Sequence, residues 1–275
     1  MDELFALSNA DVRELLEIIK SSHFNQKRAT CWPCSTRLLA SNVYAKIEKA
    51  VEAHLGRPVY VVFDELFTPS GSGDSFQLWH KDVEDADFAG GCFNVWIPLY
   101  TGAEEVEGLQ LLASDELNAY DRAEGHGSSV LPFPIGDNEL LLMKQSSMET
   151  KVIDLTKVEI ERKKASLFHV YLLDSSRFHA AVKTESFQLR FGIKFAVSPF
   201  ETFRSGSLDI MAFAYAANLL READASLPSR PKEWHYETVK FLDEHLSARF
   251  NESDPRSATL YRCLIEHIER RLPAS

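Results

Sequence analysis

Between residue 58 and about residue 197, short β-branched and aromatic runs alternate with clusters of Gly, Pro, Ser and Asp, and no helical period intervenes. The runs are "VYVVFDELF", "SFQLWHKD", "CFNVWIPLY", "GLQLLAS", "ELLLMKQ", "TKVIDL", "SLFHVYLL", "FHAAV" and "LRFGIKFAV". Eight or nine short strands with no helices between them point to an antiparallel barrel or jelly roll. The stretch from Asp115 to Asn138, with "EGHGSSVLPFPIG", reads as one long loop, and a loop of that length in a compact domain is commonly functional.

Helical periodicity brackets this region. In "SNADVRELLEIIK", Ser8 or Asn9 is an N-cap, and Val12, Leu15, Leu16 and Ile19 follow at helical spacing. In "SNVYAKIEKAVEAHLG", Val43, Ile47, Ala50, Val51 and Leu55 share a face and Gly56 is the stop. After 200 the period returns in "SLDIMAFAYAANLLREA", "PKEWHYETVKFLDEHLSARF" and "SATLYRCLIEHIERRL". The expectation is a single domain, mainly β with flanking helices. An N-terminal helical segment (1–57) precedes a β core (58–197), and a C-terminal helical extension (198–275) follows it.

With 45% hydrophobic and 26% charged residues, the 275-residue chain has the composition of an ordinary globular protein. Its net charge of −11, without a dense Lys/Arg patch, disfavours binding along a nucleic-acid backbone or to an anionic membrane. No signal-peptide pattern and no long apolar run is present, so the expected compartment is the cytoplasm, with Cys31, Cys34, Cys92 and Cys263 as free thiols. "CWPC" at 31–34 follows a polar segment rather than a buried strand, and no second C-x-x-C completes a zinc site. It reads as two thiols near the start of a packed segment.

The chemistry concentrates in two places. In "FQLWHKD", read as extended, His80 and Asp82 point the same way and Trp79 and Lys81 the other, because residues i and i+2 share a strand face. An imidazole and a carboxylate so placed can chelate one ion, although His-x-Asp is also a common chance pair. In "SSRFHAAVKTESFQLRFGIKF", ten residues separate His179 from Arg190. A tight turn centred between Thr184 and Glu185 makes the two directly opposed cross-strand neighbours, with Cβ atoms roughly 5 Å apart. Neither is an acid, so the pair is no salt bridge. It makes sense as a site in which the histidine holds a metal and the arginine holds the far end of an anionic ligand on that metal. Two histidines and one carboxylate with open positions form the facial triad of non-haem Fe(II) oxygenases. A 2-oxo acid fills two of those positions and O2 the third, and the planar fork of an arginine suits the remote carboxylate of 2-oxoglutarate.

With these residues the chain resembles the Fe(II)/2-oxoglutarate-dependent dioxygenases, and among them the phytanoyl-CoA dioxygenase-like group. The resemblance covers roughly residues 58 to 197. It rests on "WHKD", "FNVWIPLY", "GLQLLAS", and His179 followed after ten residues by Arg190. It implies a double-stranded β-helix (a jelly-roll, cupin-like core) with helices packed outside. It also implies 2-oxoglutarate decarboxylation to succinate and CO2, coupled to oxidation of a substrate C–H bond. Two departures stand out. Gly192 occupies the position two after the arginine where the family often has Ser, and "DELNAYDRAEGH" replaces a Gly-Ser-His ending. Asp82 is present where halogenating members carry a small residue, which favours oxygenation or a related oxidation.

Among the other candidates, His169 in "SLFHVYLL" reads as a satisfied core histidine, and His126 in "EGHG" as a residue of a lid or a solvated loop. On "FNVWIPLY", Phe93, Val95, Ile97 and Leu99 form one face. Asn94, Trp96 and Tyr100 form the other with Pro98, and Asn94 and Trp96 are pocket candidates. Lys194 shares the face of Arg190 and Gly192. The expected assembly is Fe(II) on His80, Asp82 and His179, with 2-oxoglutarate on Arg190, Asn94 and Lys194. O2 is the oxidant, and Trp96 and His126 face a small-molecule substrate of polar or amino-acid-derived character. The alternatives are a jelly-roll binding protein without chemistry and a cupin-like metalloenzyme that does not use 2-oxoglutarate.

Overall fold

The computed structural model describes residues 1–20, 36–67, 79, 92–103, 106–112, 130–136, 138–144, 147–175, 177–181, 188–197 and 255–273. In chain order these form β1 (Asp2–Ala6), α1 (Asn9–Lys20), α2 (Thr36–Leu39), α3 (Asn42–Leu55), β2 (Tyr60–Phe67) and β3 (Cys92–Thr101). They continue with β4 (Val106–Leu112), β5 (Val130–Gly136), β6 (Glu139–Lys144), β7 (Thr150–Asp154) and β8 (Ile160–Ala165). The last elements are β9 (His169–Asp174), β10 (His179–Ala181), β11 (Gln188–Ala196) and α4 (Pro255–Arg271). No helix among the described residues is long and apolar enough to cross a membrane.

The strands form a five-stranded sheet, β1-β9-β3-β11-β2, and two three-stranded sheets, β10-β4-β8 and β5-β6-β7, with antiparallel pairing throughout. Spatial neighbours are distant in sequence: β11 lies between β2 and β3, while β10 lies beside β4. Leu173 of β9 packs against Leu109 and Leu111 of β4, so the five-stranded sheet faces β10-β4-β8. A chain that alternates between two facing antiparallel sheets in this way is a jelly roll of the double-stranded β-helix kind. The expected fold class is the observed one.

The other face of the large sheet packs on the helices. Val95, Ile97, Leu172, Leu189, Phe191, Ile193 and Phe195 share one buried cluster with Val12, Leu15, Leu16 and Ile19 of α1, Val43, Ile47 and Val51 of α3, and Ile265 and Ile268 of α4. Each such side chain contributes about 1.5–3 kcal/mol by leaving water. The helix ends follow the local chemistry. At α1, the Ser8 backbone N–H donates to Asp11 Oδ2 and the Asp11 N–H donates to Ser8 Oγ, a reciprocal cap. At α3, Ser41 Oγ accepts from the Tyr44 N–H, and Gly56 closes the helix at φ 67°, a left-handed conformation that favours glycine.

Three strands depart from the expectation. "DELFA", expected within the N-terminal helical segment, is β1, which pairs with β9. The residues from 130 to 136, expected within a loop, form β5 on the β6 edge. "IERKKA" is β8, whose charged alternation hides a strand that pairs with β4. In each case pairing with a neighbour distant in sequence or across a turn overrides weak local propensity. The β4–β8 ladder shifts register between Glu107 and Gln110, and a Cβ on Gly108 would lie 1.7 Å from the Lys163 carbonyl oxygen. Only glycine allows that approach.

A further shift occurs in β3. Leu189 of β11 pairs with Tyr100 and Arg190 with Pro98, leaving Leu99 as an extra residue. A proline, which lacks an N–H for the ladder, sits naturally beside such an irregularity. The consequence is a correction: Tyr100 does not share the face of Asn94 and Trp96. It turns to the helix side, where its ring meets His267 of α4 edge-on at 6.0 Å.

Candidate active site

The two facing sheets aim a defined set of side chains at the space between them. Opposed residues in an antiparallel ladder share a face. His179 of β10 is opposed to Leu111 of β4, and Leu111 packs across to Leu173. Leu173 is opposed to Asn94, and Asn94 to Lys194. On the same face Trp96 is opposed to Gly192 and to Tyr171, and Arg190 to Pro98. His179 therefore enters the interior from one sheet, while Asn94, Trp96, Arg190 and Lys194 enter it from the other. His179 is 5% exposed, Arg190 1%, Trp96 4% and Lys194 7%.

This corrects the expected contact between His179 and Arg190. They are not cross-strand partners, because both edges of β11 are occupied, by β2 and β3, and β10 pairs with β4. In a jelly roll the chain changes sheets between such strands. The ten-residue spacing thus puts the two residues on opposite walls of one interior instead of side by side in one hairpin.

His179 is oriented by its own backbone. Its Nδ1 lies 2.9 Å from the carbonyl oxygen of Arg177. A carbonyl can only accept, so Nδ1 is the donor; in the neutral imidazole this leaves the lone pair on Nε2, the arrangement a metal ligand requires. The donor chemistry at this position fits a metal.

Arg190 is held on two sides. Its Nε and Nη2 both donate to Gln188 Oε1, at 3.2 and 2.6 Å. Its guanidinium carbon lies 4.6 Å from the centre of the Trp96 ring. The Trp96 ring in turn leans on Tyr171, with centroids 5.7 Å apart. Gln188 and Tyr171 escaped the reading of the sequence. Gln188 was accessible by the i−2 rule, since it shares the β11 face of Arg190. Tyr171 required knowing that β9 pairs with β3.

His80, Asp82 and His126 lie outside the described residues, as do Cys31 and Cys34. Trp79, next to His80 in sequence, is described: it packs against the cluster of Leu112, Leu140, Leu142, Ile153 and Phe178. Among the described residues no group of three or more His, Cys, Asp or Glu side chains is placed to hold a metal. His169, expected in the core, is instead partly exposed at the β9 edge, where its Nδ1 lies 2.9 Å from Glu3 Oε1. The cause is β1, whose acidic residue reaches it across the ladder.

No family model and no curated protein matches the chain. Among solved structures the chain is similar to the apo form of ThoJ, a non-heme monooxygenase, at 14% identity over 72% of this chain and 73% of that one, with a TM-score of 0.43. It is similar to SnoN, the non-heme alpha ketoglutarate dependent epimerase from nogalamycin biosynthesis, at 14% identity over 72% of this chain and 80% of that one, TM-score 0.43. It is also similar to EctD from S. alaskensis with bound Fe, at 15% identity over 71% of this chain and 73% of that one, TM-score 0.39.

Proposed function

We propose that the chain is a non-haem Fe(II)- and 2-oxoglutarate-dependent oxygenase that oxidises, in the first instance hydroxylates, a C–H bond of a small-molecule metabolite. One observation carries the reading. A buried imidazole whose Nδ1 is tied to a backbone carbonyl and a buried arginine enter the interior of a jelly roll from opposite sheets. His179 holds the iron with His80 and Asp82. Arg190 takes the remote carboxylate of 2-oxoglutarate through two parallel hydrogen bonds. Lys194 and Asn94, on the same wall, add a positive charge and a side-chain amide near that ligand, while Trp96 and His126 face the substrate.

Bound iron would supply oxidative decarboxylation of 2-oxoglutarate by O2, giving succinate and CO2, with the remaining oxidising power directed at the substrate. The residues of the chain bind, orient and seclude. Arg190 and Trp96 fix the direction in which the co-substrate enters. The Arg177 carbonyl holds the His179 ring in one tautomer. Leu109, Leu111 and Leu173 keep water from the space between the sheets. The expected substrate is a small polar or amino-acid-derived molecule.

The test is an anaerobic titration of metal-free protein with Fe(II) and then 2-oxoglutarate, followed by visible absorption. A weak charge-transfer band that needs both additions and is lost in His179→Ala supports the reading. A folded protein that binds iron without the band defeats the 2-oxoglutarate assignment and favours a different metalloenzyme. A protein that binds no iron leaves a jelly-roll binding protein.

A further inference from the structure

Gln188 is buried to 1% exposure, and its Nε2 finds no hydrogen-bond partner among the described residues. The amide cannot be turned to relieve this. Arg190 has only donors, so the oxygen must face the guanidinium and the NH2 group must face elsewhere. Leaving such a donor without an acceptor in a buried site is unfavourable. A second donor without a partner among the described residues, Trp96 Nε1, belongs to the ring that lies beneath the same guanidinium. Carboxamide and indole thus bring two donors to the side of the guanidinium, where an acceptor-rich ligand group satisfies them.

We infer that Gln188 is a ligand-binding residue: its Nε2 donates to the carboxylate that Arg190 anchors, while its Oε1 fixes the guanidinium. This rests on the proposed function for the identity of the ligand, but not for the existence of a carboxylate site. It also accounts for a feature of β11. Gln188 and position 192 flank Arg190 on one strand face, two residues to either side. Position 192 is glycine and offers no side-chain donor. The donor missing on one side of the arginine is supplied from the other.

The experiment is calorimetry on the full chain with Mn(II) in place of iron, comparing wild type with Gln188→Leu. The probes are 2-oxoglutarate, 2-oxovalerate (the same chain length without the distal carboxylate) and succinate. The expected result is that Gln188→Leu weakens 2-oxoglutarate about ten- to a hundredfold, the effect of one hydrogen bond to a charged group, and leaves 2-oxovalerate unchanged. Thermal unfolding of each variant confirms folding. If Gln188→Leu fails to fold, Gln188→Met, which keeps the length of the side chain and removes the donor without adding charge, replaces it with the same expectation. Adding Gly192→Ser to Gln188→Leu should restore most of the 2-oxoglutarate affinity. Absence of rescue means that Gln188 only positions Arg190, and overturns the inference. Equal 2-oxoglutarate binding by wild type and Gln188→Leu also overturns it, with the oxygenase reading intact. If wild type binds succinate in a Gln188-dependent way but not 2-oxoglutarate, the oxygenase reading fails and the carboxylate site stands. If wild type binds neither, both fail.

Discussion

The guanidinium carbon of Arg190 lies 4.6 Å from the centre of the Trp96 ring, so the most buried cation of the candidate site rests on an aromatic face. A cation so placed gains roughly 0.5–2 kcal/mol from the ring. Trp96→Phe should keep most of that contact, and Trp96→Leu should lose about 1 kcal/mol of it. Arg190→Ala should cost about 2–4 kcal/mol in 2-oxoglutarate binding, because a bidentate charged contact is lost from a desolvated site. Titration of 2-oxoglutarate at fixed Fe(II) checks the order Trp96→Phe, Trp96→Leu, Arg190→Ala. An Arg190→Ala protein with the wild-type requirement would remove Arg190 from the ligand.

The metal side is tested separately. His179→Ala should lower Fe(II) affinity by at least about tenfold, in keeping with the loss of one ligand from a small set. Asp82→Ala should abolish turnover with little loss of folding. Equilibrium dialysis with Fe(II), circular dichroism melting and succinate release together separate a lost ligand from a damaged fold. Full activity in Asp82→Ala would exclude that residue from the metal.

Asp11 links two helices of the outer layer. It accepts from Ser8 at the start of α1 and from Lys46 of α3. Burial alone would raise its carboxyl, but the hydrogen bonds from Lys46 and Ser8, with the charge of Lys46, bring it below the ordinary value of 3.8. A depressed carboxyl stabilises the fold above its unfolded value. That contribution is lost as pH falls from about 3.8 through the lower folded value. Asp11→Ala should cost about 1–2 kcal/mol at neutral pH, the range for loss of a helix cap. Urea midpoints measured at descending pH should converge for wild type and variant in acid. A gap that widens in acid would contradict the assignment.

Gly108 has no room for a side chain. Its Cβ would overlap the Lys163 carbonyl oxygen at 1.7 Å, a backbone atom that cannot swing aside. Gly108→Ala should destabilise by at least about 2 kcal/mol, as overpacking against backbone does. The readout is the denaturation midpoint. Because β4 carries Leu111, the ladder partner of His179, Fe(II) affinity should fall with it.

Much of this was legible in the sequence for identifiable reasons. Apolar spacing alone placed α1 and α3, because Val12, Leu15, Leu16 and Ile19 recur at the helical period and are buried as that period requires. Capping and stop residues placed their ends. Alternation placed Asn94 and Trp96 on one face of β3, and Lys194 with Arg190 on one face of β11. The His179 to Arg190 spacing marked both residues, since residue types with no use for each other in a core were set at a fixed separation.

Local sequence determined the faces of the strands and helices it marked and the residue types of the candidate site, but not β1, β5 or β8. Tertiary structure alone decided which strands are neighbours, and the rest follows from that. β10 pairs with β4 and β11 with β2 and β3, so His179 and Arg190 enter the interior from opposite sheets instead of lying along one hairpin. The irregularity at Leu99 sends Tyr100 to the helices, and the pairing of β1 with β9 gives His169 an acidic partner. The physical reason is that a strand's face follows from its own alternation, whereas its partner depends on hydrogen bonds to residues far away in the chain.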